Sequence, residues 1–173
     1  MLSSKDEDVL RFLFGPPASS TASSTSKFER NDAELASLQL EKAAVLKVEA
    51  GLLDEALRDL SAAVELYQCA SAFNNRAQVL QLMKREDDAM SDVQVAIEKS
   101  RNRGDLVTLR QALCQRGMLL RVKLEDEKAR VDFEEASALG CNLAKQQAAL
   151  LNPHAQLCAE TVQLMFSAFH KEK

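Results

Sequence analysis

The stretch MKREDDAMSDVQVAIEK, residues 83–99, has two counterparts in the chain: AGLLDEALRDLSAAVEL at 50–66 and LEDEKARVDFEEASAL at 124–139. Superimposed, they bring Ala56, Ala89 and Ala129 into one column and, seven residues on, Ala63, Ala96 and Ala136 into another. Twelve residues before the first column stand Ala44, Ala77 and Gly117, again small. A period of this length marks a stacked repeat. Small residues at fixed offsets are what closely crossing antiparallel helices need, because a larger side chain would push their axes apart. Large apolar residues fill the positions between, such as Leu57, Leu60 and Leu66 in the first unit and Leu113, Leu120, Val131 and Phe133 in the third. Each unit is therefore expected to be a helical hairpin, helix A then helix B.

Composition agrees. Of 173 residues, 46% are hydrophobic and 28% charged, with only five Gly, three Pro and 5% aromatics, a balance that favours good helix formers and a single all-α domain. A formal net charge of -4 without a Lys/Arg block offers no attraction to phosphate backbones or anionic membranes, so neither nucleic acid nor membrane is expected as a partner. No apolar run approaches the roughly 20 residues of a membrane span. The start MLSSKDEDVLRFLF has acids where a signal peptide carries its basic region, which predicts a cytoplasmic or nuclear protein with reduced thiols. Cys69, Cys114, Cys141 and Cys158 show no C-x-x-C spacing and no nearby histidine pair, so no metal site is expected. The histidines, His154 and His170, read as capping or surface residues. With no G-x-S-x-G, P-loop or G-x-G-x-x-G, the chain is expected to be no enzyme, with no catalytic residues and no cofactor.

A Ser4 to Glu7 capping box before Val9, Leu10, Leu13 and Phe14 predicts a short amphipathic helix over 1–14. Residues 15–30, almost all Ser, Thr and Ala after Gly15-Pro16-Pro17, predict a flexible linker. The repeats are expected at 31–69, 70–109 and 110–143, and capping helices at 144–173, broken at Asn152 and Pro153. The equivalent alanines Ala56, Ala89 and Ala129 are 33 and then 40 residues apart. An insertion around SRNRGDL, residues 100–106, accounts for the longer step and is expected to form a surface turn.

Helix pairs with small residues at these offsets, above all NNRAQVLQLMKREDDAMSDVQVAI at 74–97, resemble the tetratricopeptide repeat. The order of VLRFLFGPP, NNRAQ, CQRGMLLR, DFEEASALG and LLNPHAQLC makes the whole chain similar to the tetratricopeptide repeat protein 36 family. That resemblance implies three repeats in a right-handed superhelix with a C-terminal capping helix. It also implies a monomeric, non-enzymatic adaptor associating with a 70-kDa heat-shock chaperone or a metabolic-enzyme client and affecting protein stability. A ciliary or other assembly, bound outside the groove, is the alternative it leaves open.

In such repeats helix A lines a concave groove. The register then assigns Asn74, Asn75 and Gln78 from the second repeat and Gln111, Cys114, Gln115, Met118 and Arg121 from the third to a peptide-binding lining. Side-chain amides both donate and accept, which suits an extended peptide backbone. Relatives that clamp a C-terminal carboxylate do so with Lys, Asn, Asn, Lys and Arg. The matching positions here are Glu41, Val45, Asn75, Gln111 and Gln115, so only Asn75 agrees, and a chaperone tail is expected to bind weakly in this mode or elsewhere. Arg76 precedes Asp92 by sixteen residues, as Arg116 precedes Asp132. The recurrence reads as an ion pair joining helices A and B, with groove binding as the other reading. For Asn74 and Asn75, ligand contact and local amide bonding both stay open. The N-terminal DVLRFLF could also occupy the groove as an internal ligand, since a dozen-residue coil reaches about 20 Å.

Overall fold

The computed structural model describes residues 32–153, 157–158 and 161–162. The expected N-terminal helix at 1–14, the linker at 15–30, most of the second capping helix, His154 and His170 lie outside the described residues. Within them the chain is all-helical: α1 (Asp32–Glu49), α2 (Leu53–Leu66), α3 (Ala70–Leu82), α4 (Glu86–Arg103), α5 (Leu106–Val122), α6 (Asp126–Ala138) and α7 (Asn142–Leu150). The hairpins are α1 with α2, α3 with α4 and α5 with α6, and α7 packs on α6. Each hairpin also packs on the next, and α3 touches both α1 and α5, so the A helices form a continuous inner row.

The small-residue columns lie at the helix crossings. Ala44, Ala77, Ala56, Ala89, Ala129, Ala63, Ala96 and Ala136 are all fully buried. One apolar core runs from the second repeat through the third into α7, with Ile97, Leu113, Leu119, Phe133 and Ala144 among its members. A smaller one, including Val48, Leu60 and Val79, serves the first repeat. At Gly117 an added β-carbon would stand 2.7 Å from Phe133 Cε1, so the aromatic ring fills the space an alanine would need.

The turns that follow the A helices close by one device. After the A helices, Gly51, Lys84 and Leu124 have φ of 77°, 62° and 60°. The next amide in each case reaches back to the carbonyl five residues earlier: Leu52 to Lys47 at 2.8 Å, Arg85 to Leu80 at 2.9 Å and Glu125 to Leu120 at 2.9 Å. This is the Schellman stop, which spends otherwise orphaned carbonyls. Acids then open the B helices, for example Asp54 and Glu55, or Glu86, Asp87 and Asp88, where the helix dipole favours them.

The insertion around residues 100–106 contributes helix on either side of a short exposed turn. It lengthens α4 to 18 residues and α5 to 17, against 14 for α2 and 13 for α3, and leaves only Gly104 and Asp105 between them. Helix A of the third repeat therefore begins at Leu106, ahead of the expected Arg110. The added turns are helical because they pack and are capped: Ser100, Thr108 and Leu109 are buried, and Asp105 Oδ1 accepts the Thr108 N–H at 3.1 Å.

Candidate functional site

The inner row presents the residues assigned to the groove at very different depths. Asn74, Gln78 and Gln115 are buried, at 2%, 2% and 0% exposure. Asn75, Gln111 and Met118 are half-buried, and Arg121 is exposed. Cys114 is fully buried. The register is shifted inward where the A helices of neighbouring repeats meet, because residues on their shared side pack against each other before any ligand arrives. Asn74 Oδ1 and both amide atoms of Gln78 and of Gln115 are buried with no hydrogen-bond partner among the described residues. Unspent buried amides of this kind cost stability until something pairs with them.

Asn75 has a partner. Its Nδ2 donates to Glu41 Oε2 at 2.9 Å, while Glu41 Oε1 accepts from Ser71 Oγ at 3.2 Å and from the Cys69 thiol at 3.3 Å. Glu41 is 4% exposed, and burial holds its carboxyl above the usual value of 4.5 despite those three donors. Together with Glu34 and Leu38, Glu41, Cys69 and Ser71 enclose a cavity of about 100 Å³. Of the clamp positions, then, Glu41 and Gln115 are inside the protein, and Asn75 serves an internal carboxylate. Periodicity gave no signal for this pairing, which joins two different repeats.

The second feature lies where α5 meets α7. Met118, Arg121, Val122, Leu124, Asp126, Leu143 and Gln147 line a cavity of about 480 Å³. Arg121 Nη1 donates to Gln147 Oε1 across it. Val122 and Leu124 are 56% and 87% exposed, giving an apolar wall beside a guanidinium and an amide. Apolar lining with a few polar groups is the ordinary make-up of a ligand pocket.

Arg76 grips Asp92 with two parallel bonds, Nε to Oδ2 at 2.6 Å and Nη2 to Oδ1 at 2.7 Å. Arg116 does the same with Asp132, at 2.7 and 2.6 Å, and adds Nη1 to Gln94 Oε1 at 2.7 Å. The carboxylates raise both guanidinium pKa values. The first repeat has an Asp at the same place, Asp59, but Ala43 where the others have Arg; Lys47, one turn along, supplies the cation at 2.7 Å. That substitute was detectable, since Asp59 stands one repeat before Asp92. Arg101 holds Glu135 and Arg103 donates to the Tyr67 hydroxyl at 3.0 Å.

Among the described residues no group of acids, cysteines and histidines has metal-ligand geometry, and no helix is long and apolar enough to cross a membrane. No family model matches the chain. Among curated relatives, it is 39% identical over 176 residues to the tetratricopeptide repeat protein 36 homolog of Drosophila melanogaster, covering 95% of this chain and 94% of that protein. It is 47% identical over 120 residues to tetratricopeptide repeat protein 36 of Danio rerio, covering 69% of this chain and 63%, less than two thirds, of that relative. Among solved structures it resembles the first TPR of Spaghetti (RPAP3) bound to HSP90 peptide SRMEEVD, with a TM-score of 0.62, 20% identity and coverage of 73% of this chain and 95% of that one. It also resembles the second TPR domain of the human RPAP3 protein in complex with HSP70 peptide SGPTIEEVD, with a TM-score of 0.59, 16% identity and coverage of 69% and 97%.

Proposed function

The chain belongs to the tetratricopeptide repeat protein 36 family, and from that premise we propose that it is a non-enzymatic cytoplasmic adaptor of co-chaperone type. In this reading it engages a 70-kDa heat-shock chaperone or the chaperone's clients and so affects their stability. The observation that carries the reading is the set of unpaired amides on the inner row, Asn74 and Gln78 on α3 and Gln115 on α5. An extended peptide laid along that row offers a backbone donor and acceptor to each amide once the side chains turn outward. Solved relatives in fold hold chaperone peptides, those named SRMEEVD and SGPTIEEVD, which supports a peptide as the ligand. The lining supports a different grip, however. With Glu41 and Gln115 buried and no cation at either place, recognition of the main chain replaces recognition of a terminal carboxylate.

Two arms test this. Pull-down with the full chain should retain a heat-shock chaperone or a client, and a Gln78→Leu, Gln115→Leu variant, which removes two of the unpaired amides, should retain less. A peptide ending in SGPTIEEVD should bind no better with a free terminal carboxylate than with an amidated one. Strict dependence on the free carboxylate would overturn the main-chain reading.

A second reading, a structural part of a ciliary or other assembly bound outside the groove, is favoured by one feature. Met90, Gln94, Leu120, Lys128 and Val131, with Arg116 and Asp132, line an apolar cleft of about 410 Å³ where α4, α5 and α6 meet. Retention unaffected by the groove variant but lost in Val131→Asp would favour it.

A further inference from the structure

Among the described residues α7 closes one end of the helical stack, and no hairpin precedes α1 at the other. The later A helices show how such a joint is filled. α3 packs on the first hairpin as well as on α4, and α5 on the second hairpin as well as on α6. Val79 on α3 is fully buried in the apolar cluster of the first repeat, with Ala44, Val48, Ala56 and Leu60. Leu119 holds the same place on α5 at 1% exposure. One repeat earlier the place belongs to Leu46, which is 67% exposed. Leu35, Gln39 and Lys42 are exposed with it, and steps of four, three and four residues set the four side chains in one stripe on the flank turned from α3. The end of a solenoid ordinarily shows a polar face to solvent; here two leucines flank a glutamine and a lysine.

We propose that residues 6–14, DEDVLRFLF, fold back onto this stripe and take the place that the preceding helix B holds in the later repeats, so that the chain's own N-terminus is the occupant of the open flank of α1. Val9, Leu10, Phe12, Leu13 and Phe14 supply apolar and aromatic surface to cover Leu35 and Leu46. Asp6, Glu7 and Asp8 bring negative charge to the exposed Lys42.

The connection has the right length. Seventeen residues, 15–31, separate Phe14 from Asp32, where α1 begins. As a coil they span roughly 23 Å, and Leu46 lies about 21 Å along the helix from Asp32 at the usual rise per residue. A tether this short presents the segment at an effective concentration on the order of millimolar, well above that at which a second copy of the chain is offered in dilute solution. Gln39 also argues against a further stacked hairpin from a second copy. The later repeats have Ala72 and Ala112 at its position, both fully buried, as close crossing of whole helices requires. The longer glutamine holds a complete hairpin off and leaves a shallower seat that one short apolar segment fills. The contact is separate from the unpaired amides of the inner row and stands whatever they bind.

The test uses the full chain carrying Gln39→p-benzoylphenylalanine, a photo-crosslinking residue at the edge of the stripe. Irradiation of dilute protein should join position 39 to the tryptic peptide 6–11 or 12–27 of the same chain. In parallel, Leu46→Asp changes an exposed residue, where substitutions are ordinarily near neutral, yet it should lower the melting temperature by roughly 3–6 °C. Leu13→Asp with Phe14→Asp should lower it as much, and the three changes together should lower it no further, because they break one contact. Three results would overturn the proposal. Crosslinks only between chains, with a melting temperature that rises with protein concentration, would assign the stripe to a second copy. An unchanged melting temperature in Leu46→Asp would leave the flank uncovered in the isolated chain and open to another protein. Additive losses without a crosslink to residues 6–27 would place the N-terminal segment elsewhere. The crosslink is read in a chain that keeps Leu46, Leu13 and Phe14, so misfolding of an aspartate variant does not mask the outcome.

Discussion

Gly117 and Phe133 share one space: a β-carbon on the glycine would meet Cε1, Cδ1 and Cζ of the ring at 2.7, 2.9 and 2.9 Å. In the second repeat the same two positions hold Ala77 and Val93, a larger residue on helix A facing a smaller one on helix B. The third repeat has exchanged volume between its helices. Gly117→Ala should cost about 1–3 kcal/mol through overpacking, against the gain of roughly 0.5–1 kcal/mol that Gly to Ala brings in an unstrained helix. Adding Phe133→Val should recover much of the loss, and urea unfolding of both single variants and the double variant would show the coupling. Additive effects would mean the ring moves freely aside.

Leu124 is 87% exposed and has φ of 60°, at the place where the first repeat uses Gly51. A left-handed conformation costs a side-chain-bearing residue about 1–2 kcal/mol, partly offset by the freedom glycine has when unfolded. Leu124→Gly should therefore raise stability by about 0.5–1 kcal/mol, read as a melting temperature higher by roughly 2–4 °C. Gly51→Ala should lower it by a similar amount.

How far the chain could be read beforehand follows from the same positions. The alanine columns, the hairpins and the Arg–Asp pairs recur at the repeat spacing, so periodicity exposes them. What escaped it belongs to single places. Glu41–Asn75 joins unlike residues of different repeats, and the insertion became helix because Thr108 and Leu109 found burial. The depth of Asn74, Gln78 and Gln115 was also hidden, since it depends on how closely neighbouring A helices approach, which a register alone does not contain.

Arg116 and Arg101 both hold a carboxylate with two bonds, but in different surroundings. The Arg116 and Asp132 side chains are 21% and 5% exposed, those of Arg101 and Glu135 51% and 39%. Removing Arg116 strands a nearly buried acid, so Arg116→Ala should cost about 2–3 kcal/mol, somewhat less than for a fully buried pair. Arg101→Ala should cost at most about 1 kcal/mol. Chemical denaturation of the two variants would separate them, and equal losses would mean that burial of Asp132 carries no penalty. Arg116→Met with Asp132→Leu should regain stability over Arg116→Ala, because no charge is then left unpaired.

Glu41 gives the chain a pH dependence of unusual sign for a carboxylate. Burial raises its folded pKa above the ordinary 4.5, so as pH rises the unfolded chain loses this proton first. Between 4.5 and the higher folded value the native state binds more protons, and stability falls with rising pH. Beyond the folded value the slope ends and the full penalty of a buried charge remains. Glu41→Gln removes that titration. Its amide can still accept from Asn75, and it can donate to Ser71 or Cys69, which accept as readily as they donate. The variant should therefore be at least as stable as the parent at neutral pH, and the difference should vanish on acidification below 4.5. Urea midpoints measured across that window would decide it: a variant weakened at neutral pH, with the parent's pH profile unchanged, would show that the three donors outweigh burial and that Glu41 stabilises the joint between repeats as an anion.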